Sequence, residues 1–345
     1  MPADLDFGMF DWLDAGPGST SDLYESRLRL IQQADKAGFY GYHLAEHHAT
    51  PLGMAPSPSL FFAALAERTS RIRFSPMAAL LPLYHPLRLV EEICMLDHLS
   101  GGRVEVGVSR GVSPYEAESF NVDSGSTREV FEEALEIYKA AMTQSVLDHD
   151  GKHFQFRDVP MEIRPLQEPY PPLWYPSFSE DGATYAASNG FHFMSLGPPS
   201  LVTHLMNLYR EVAERQRLNS DKPNVPSGAP KLAAMRQIFV AETDSEAMEI
   251  ARPAYADWYR SITKLWHRRG DSSYDSFFDW EKSLAGETIL IGSVDHVGEK
   301  IQQLVAESGI NYFVGSFAWG SLGHDDSRHS LELFVTKIAP ELKGA

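Results

Sequence analysis

The sequence predicts a (β/α)8 barrel. About eight apolar, strand-like runs alternate with amphipathic helical runs, and 345 residues suffice for one such barrel. The rival architecture, a doubly wound open sheet, loses support at the first strand. FGMFDWLDAGPGS stands there in place of a glycine-rich dinucleotide fingerprint. Residues 1–345 therefore read as one barrel domain, with insertions near 150–170 and 264–288.

Taken in order, residues 5–12 read as a strand and 22–38 as a helix. Leu23, Leu30, Ile31 and Ala34 lie near one stripe of that helix, and Gly38 stops it. Residues 40–46 form the second strand, 58–70 a helix and 72–80 the third strand. Pro86 opens a helix in the position proline tolerates best; Leu89, Ile93, Leu96 and Leu99 give it a buried face, and Gly101 and Gly102 end it. Residues 104–109 are the fourth strand. Ser126 with Glu129 predicts a capping box for a helix carrying Val130, Phe131, Ala134, Tyr138 and Met142.

The rhythm then breaks at 153–165, which alternates like a small hairpin or edge ribbon. Strands follow at 173–178 and 192–196, with a short helix from about Asp181 between them. A helix at 200–217 leads into the polar linker SDKPNVPSGAP. A strand at 232–241 and a helix at 245–262 come next. Residues 266–287 are long, polar and aromatic without a clear period. Residues 288–291 read as a short extra strand, followed by a strongly amphipathic helix on Val294, Val297, Ile301, Leu304 and Val305. The last strand is 311–317 and the last helix 328–342.

Composition narrows the partners. A formal charge of −17 disfavours nucleic acid and anionic membrane surfaces. The longest apolar runs, such as MAALLPL, fall far short of the ~20 residues a membrane helix needs. The first residues, MPADLDFGMF, lack the features of an export signal. The single cysteine, Cys94, allows no intrachain disulfide. A cytoplasmic protein is expected.

In such a barrel the chemistry sits at the carboxyl ends of the strands. Strand two ends in Glu46, His47 and His48, and histidine can move a proton near neutral pH. The plainer reading is that both are loop histidines satisfied by neighbours. Metal binding by His43 and His47 is disfavoured, because a spacing of four joins ligands on a helix and not on a strand, and HExxH is absent. Arg110 follows strand four, and Arg128 lies in the first turn of the next helix, where a cation is poorly placed unless an anion offsets it. A phosphate would do so, helped by Ser177 and Ser179 of the SFSEDG loop. The alternative is pairing of both arginines with surface carboxylates. Met77–Leu80 is apolar strand against which a flat ring fits, or ordinary barrel core.

EHH after strand two, HPLRLVEEICMLDHLSGGRVEVGVSRG, and the serine-bearing loop after WYPSF together resemble the bacterial luciferase-like flavin monooxygenases, along nearly the whole chain. The resemblance implies a (β/α)8 barrel that uses reduced FMN or, in one branch, the deazaflavin F420, and in many members O2. It implies that His47 is the catalytic histidine, and that Arg110, Arg128 and Ser179 hold the FMN phosphate. Phe178 falls where the luciferase has a cofactor-contacting glutamate, so only a backbone contact survives there. Met77–Ala78 matches a dipeptide with a cis bond against the flavin ring. Ser109 replaces a reactive cysteine, leaving at most a hydroxyl contact. Residues 266–287 match the place of a mobile loop, and a lid would keep water from the reaction. A disordered surface insertion is the other reading of that stretch. The expectation is an FMN-dependent two-component monooxygenase, a homodimer through its early helices, supplied by a flavin reductase and acting with O2 on a small organic substrate. The alternatives are an F420-dependent oxidoreductase or a non-catalytic flavin-binding protein. Light emission is not implied.

Overall fold

The computed structural model describes residues 5–219 and 229–344. Its elements run β1 (Asp6–Asp11), α1 (Thr20–Ala37), β2 (Gly41–Leu44), α2 (Pro58–Arg68), β3 (Arg73–Pro76), β4 (Ala79–Leu80), α3 (Pro86–Ser100) and β5 (Val106–Ser109). Next come α4 (Pro114–Ser119), α5 (Thr127–Thr143), the ribbon β6 (Val146–Asp150) and β7 (Gln155–Pro160), β8 (Leu173–Pro176), α6 (Glu180–Ser188) and β9 (His192–Ser195). The chain continues through α7 (Pro199–Asn219), β10 (Leu232–Ala241), α8 (Asp244–Arg268), α9 (Trp280–Ala285), β11 (Ile289–Ser293), α10 (Val294–Ser308) and β12 (Tyr312–Ser316). It ends in α11 (His324–Leu333), a π-helical turn and α12 (Ala339–Gly344).

The strands pair in parallel in the order β3-β2-β1-β12-β10-β9-β8-β5-β4. The third barrel strand is divided: β3 pairs with β2, β4 pairs with β5, and a single bridge from Phe74 to Val104 joins β3 towards β5. The sheet is thereby nearly closed into a TIM-type barrel with helices around it. The break in strand three falls at Met77–Ala78, whose peptide bond is cis. Gly107 of β5 lies under that break, where a Cβ would come 2.3 Å from the Pro76 carbonyl oxygen. β11 pairs only with β10, off the main path, as the extra strand expected near 288–291.

Strand alternation feeds two cores. Phe7, Met9, Tyr42, Leu44, Phe313 and Ile238 pack outward under the helices, while Phe10, Ala45, Met194, Met235 and Val314 point into the barrel. Gly38, at φ 81°, and Gly101, at φ 64°, close α1 and α3 in the left-handed conformation.

Several local expectations are corrected. The capping box at Ser126 and Glu129 does not form. Ser126 has helical backbone, its hydroxyl donates to the Asp123 carbonyl, and Glu129 accepts from Lys152 instead. The ribbon expected at 153–165 begins earlier, because Val146–Asp150 supplies its first strand. The helix expected at 245–262 runs to Arg268, and part of the aperiodic stretch is helical as α9. The polar linker lies, through residue 228, outside the described residues. No helix among the described residues is long and apolar enough to cross a membrane.

Inside the barrel, Glu105 accepts from Tyr40 Oη, Arg73 Nε and Trp174 Nε1, each at 2.5 Å. Burial pushes its carboxyl up, but Arg73 and these donors more than offset that and hold it below its ordinary value of 4.5. A carboxylate held low stabilises the fold fully above that value, and the contribution is lost as pH falls through the native pKa. Arg73→Met strands the buried carboxylate and is expected to cost about 3–5 kcal/mol, read from urea unfolding. Adding Glu105→Gln should recover part of the loss.

Candidate active site

A cavity of about 1330 Å³ opens at the carboxyl ends of the strands. His47, Met77, Ala78, Ser109, Arg110, Arg128, Phe178 and Ser179 all line it. Residues drawn from β2, the break in strand three, the β5 and β8 ends and α5 thus share one space.

His47 leaves β2 with its Nδ1 3.0 Å from Glu116 Oε1. Glu116, on α4, is 2% exposed, and the same carboxylate oxygen accepts the His48 backbone N–H at 3.1 Å. The acceptor at Nδ1 favours the tautomer with a proton there, leaving the Nε2 lone pair unclaimed. Behind His47 the chain doubles back, and Gly53 sits so close that a Cβ would fall 2.3 Å from the His47 carbonyl oxygen. His48 faces a different carboxylate: its Nε2 lies 2.9 Å from Glu46 Oε1, and Glu46 Oε2 accepts from Tyr84 Oη. His43 is separate from both. It is buried with Nδ1 on Ser75 and Nε2 on Tyr312, and burial pushes its pKa down to about 4.

Arg110 follows β5 directly, and Arg128 is the second residue of α5. Both are exposed, and among the described residues neither guanidinium is in an ion pair or a hydrogen bond. Both act on Tyr175: burial raises its phenol pKa, while the charges of Arg110 and Arg128 pull against the rise. The two cations therefore converge near one ring. Ser179 caps α6, accepting the Gly182 N–H at 3.2 Å, and its hydroxyl lies 3.2 Å from Ser177 Oγ. Ser109 Oγ accepts the Gly111 N–H at 3.1 Å, shaping the turn that carries Arg110.

Part of the remaining wall is an aromatic cluster. Phe10 and Trp12 from the β1 end meet Trp258 and Tyr255 of α8 and Phe278 of the following loop. Phe178 meets Phe277 edge-on at 5.8 Å. The 269–279 loop is tied to α4: Tyr115 Oη donates to Asp271 at 3.0 Å, and Arg269 pairs with Glu118 at 2.8 Å. One short helix thus holds the loop on one side and His47 on the other.

Sequence reasoning missed Glu116, Gln237, Tyr255 and Trp258, all placed by distant elements. Glu116 carried a readable signal. Ser113 and Glu116 have capping-box spacing, and Ser113 Oγ does accept the Glu116 N–H at 3.3 Å. The glutamate side chain then serves the histidines instead of closing the box.

The family model described as luciferase-like monooxygenase matches residues 5–312. An uncharacterized protein of Sinorhizobium fredii is 36% identical over 331 residues, covering 96% of this chain and 95% of its own length. The oxygenase component of the flavin-dependent trigonelline monooxygenase of Acinetobacter baylyi is 28% identical over 255 residues, 70% of this chain and 68% of that protein. The crystal structure of the monooxygenase RslO1 from Streptomyces bottropensis superposes with a TM-score of 0.86 at 25% identity, covering 98% of this chain and 99% of that one.

The tautomer is directly testable. Imidazole 15N shifts of His47 are expected to report a protonated Nδ1 and a bare Nε2. Glu116→Ala should erase that preference, while the His43 signals stay where they are.

Proposed function

This chain belongs to the luciferase-like monooxygenase family, and on that premise we propose that it is the FMN-dependent oxygenase component of a two-component system. Reduced flavin comes from a separate reductase, and the substrate is a small organic molecule. One observation carries this reading: two guanidinium groups without carboxylate partners stand at one end of the cavity that His47 and Met77–Ala78 also line. The donor set fits a phosphate monoester, since planar guanidinium groups bind phosphate oxygens bidentately and Ser179 adds a hydroxyl at a helix start. The kinship with the oxygenase component from Acinetobacter baylyi supports the two-component arrangement.

Arg110, Arg128 and Ser179 hold the phosphate tail at the β5–α6 end. Met77 and Ala78, both buried, offer backbone and a small side chain as a flat wall for the ring. Reduced FMN, when bound, supplies the electrons that let O2 deliver one oxygen atom to the substrate while the other leaves as water. His47 holds or moves a proton at Nε2, and Glu116, at Nδ1, is its positioning residue. The 269–279 loop, anchored on α4, keeps water out of the closed cavity. Leu60 on α2 and Met95 and Leu99 on α3 are more than half exposed on neighbouring helices. They support a homodimer packed through these two helices.

Arg110→Ala should weaken FMN by about 10- to 100-fold, the equivalent of losing one or two hydrogen bonds to a charged group. Flavin-fluorescence titration measures this, and a parallel titration with F420 tests the deazaflavin alternative. Unchanged FMN affinity would remove the phosphate site. For His47→Ala the expected result is normal FMN binding with substrate-dependent oxygen uptake lowered by about 10²–10⁴-fold. Full oxygen uptake in that variant would deny His47 its role.

A further inference from the structure

We infer that the end of the cavity remote from Arg110 and Arg128 is a binding site for a planar aromatic substrate bearing one oxygen function, and that Gln237 selects for that oxygen. The inference rests on the phosphate assignment above, which gives the arginine end to the cofactor and leaves the other end for the substrate.

The first support is size. About 1330 Å³ exceeds the roughly 300–1,000 Å³ of an ordinary small-molecule pocket, so a second molecule has room beside a cofactor. The second is the wall of that end. Phe10 and Trp12 meet edge-to-face at 4.8 Å, Trp12 and Trp258 at 5.2 Å, and Trp258 and Phe278 at 5.3 Å. Rings in this arrangement leave faces and edges that complement another flat ring better than a flexible chain.

The third support is the distribution of charge. The charged residues lining the cavity are Glu46, Arg110, Arg128, Glu132, Asp181 and Lys282. Glu46 is occupied by His48 and Tyr84, and Lys282 donates to Ser276 on the loop. Arg110, Arg128, Glu132 and Asp181 belong to the α5–α6 side. Among the described residues Lys282 has only that hydroxyl as its side-chain partner, and the aromatic end holds no free carboxylate; a cationic substrate would find no counter-ion there, and burying a charge unpaired is costly.

The fourth support is Gln237. This β10 residue lines the cavity beside Met235, is 5% exposed, and its amide Nε2 has no hydrogen-bond partner among the described residues. Its register partner Ser316, on β12, does not satisfy it: Ser316 Oγ is buried without a partner as well. Buried amides are almost always hydrogen-bonded. An amide left unpaired at the cavity wall is what recognition of one ligand oxygen requires, because the unmade bond penalises any ligand that lacks the oxygen.

The test is calorimetric titration of two probes that share one ring system: 1-naphthol and naphthalene. Each is run on the protein alone and on the protein saturated with oxidised FMN. With FMN bound, 1-naphthol is expected to bind about tenfold tighter than naphthalene, the worth of one hydrogen bond to an otherwise unpaired group. Gln237→Leu, of similar size and checked for folding by circular dichroism, should bring 1-naphthol down to the naphthalene level and leave naphthalene unchanged. Equal binding of 1-naphthol and naphthalene, no binding of either probe, or an undiminished preference in Gln237→Leu would each overturn the inference. Failure of FMN to bind would instead overturn the cofactor reading, and the probe series on the protein alone would still report on Gln237.

Discussion

The site depends on a buried carboxylate that reaches across the barrel mouth. Glu116 comes from a six-residue helix beyond β5 and meets a histidine at the end of β2. Its single oxygen fixes the imidazole Nδ1 and the next backbone N–H together. An imidazole held at one nitrogen presents the other in a defined direction, which is the condition for useful proton transfer. The same helix carries Tyr115 and Glu118, which hold Asp271 and Arg269 of the covering loop. The position of this loop at the cavity and the orientation of His47 therefore share one support.

Around that support the cavity is divided by charge. Cations without partners stand on the β5 and α5 side, and aromatic rings from β1 and α8 fill the other. The division suits a pair of guests with different chemistries, one anchored by an anionic tail and one held by ring contacts. Below it, the interior of the barrel is no simple apolar plug. Glu105, Arg73, Tyr40 and Trp174 form a bonded cluster, and His43 sits between Ser75 and Tyr312. Every polar group named there has its partner, which is the condition under which buried polar clusters specify a unique packing.

Legibility in the sequence followed range. Elements with a strong local period were readable: α1 and α3 with their glycine stops, β10 over all its residues, and the extra strand β11. The residues lining the arginine end were found because strand ends in a barrel of this kind face one side. What was misread turned on competition for a side chain. Ser126 and Glu129 have the right spacing for a cap, yet Asp123 and Lys152 take them. Ser113 and Glu116 have the same spacing, and there the serine caps while the glutamate leaves for His47.

Alternation of apolar runs, fixed by chain chemistry within ten or twenty residues, determined the barrel and the side on which its chemistry lies. Packing across distances of 69 residues and more decided the rest: which carboxylate faces His47, that Arg110 and Arg128 stay unpaired among the described residues, and that α8 lends its aromatic face to the cavity. Local periodicity reports only whether a residue faces inward. Which partner it finds there is set by elements that meet only when the barrel closes.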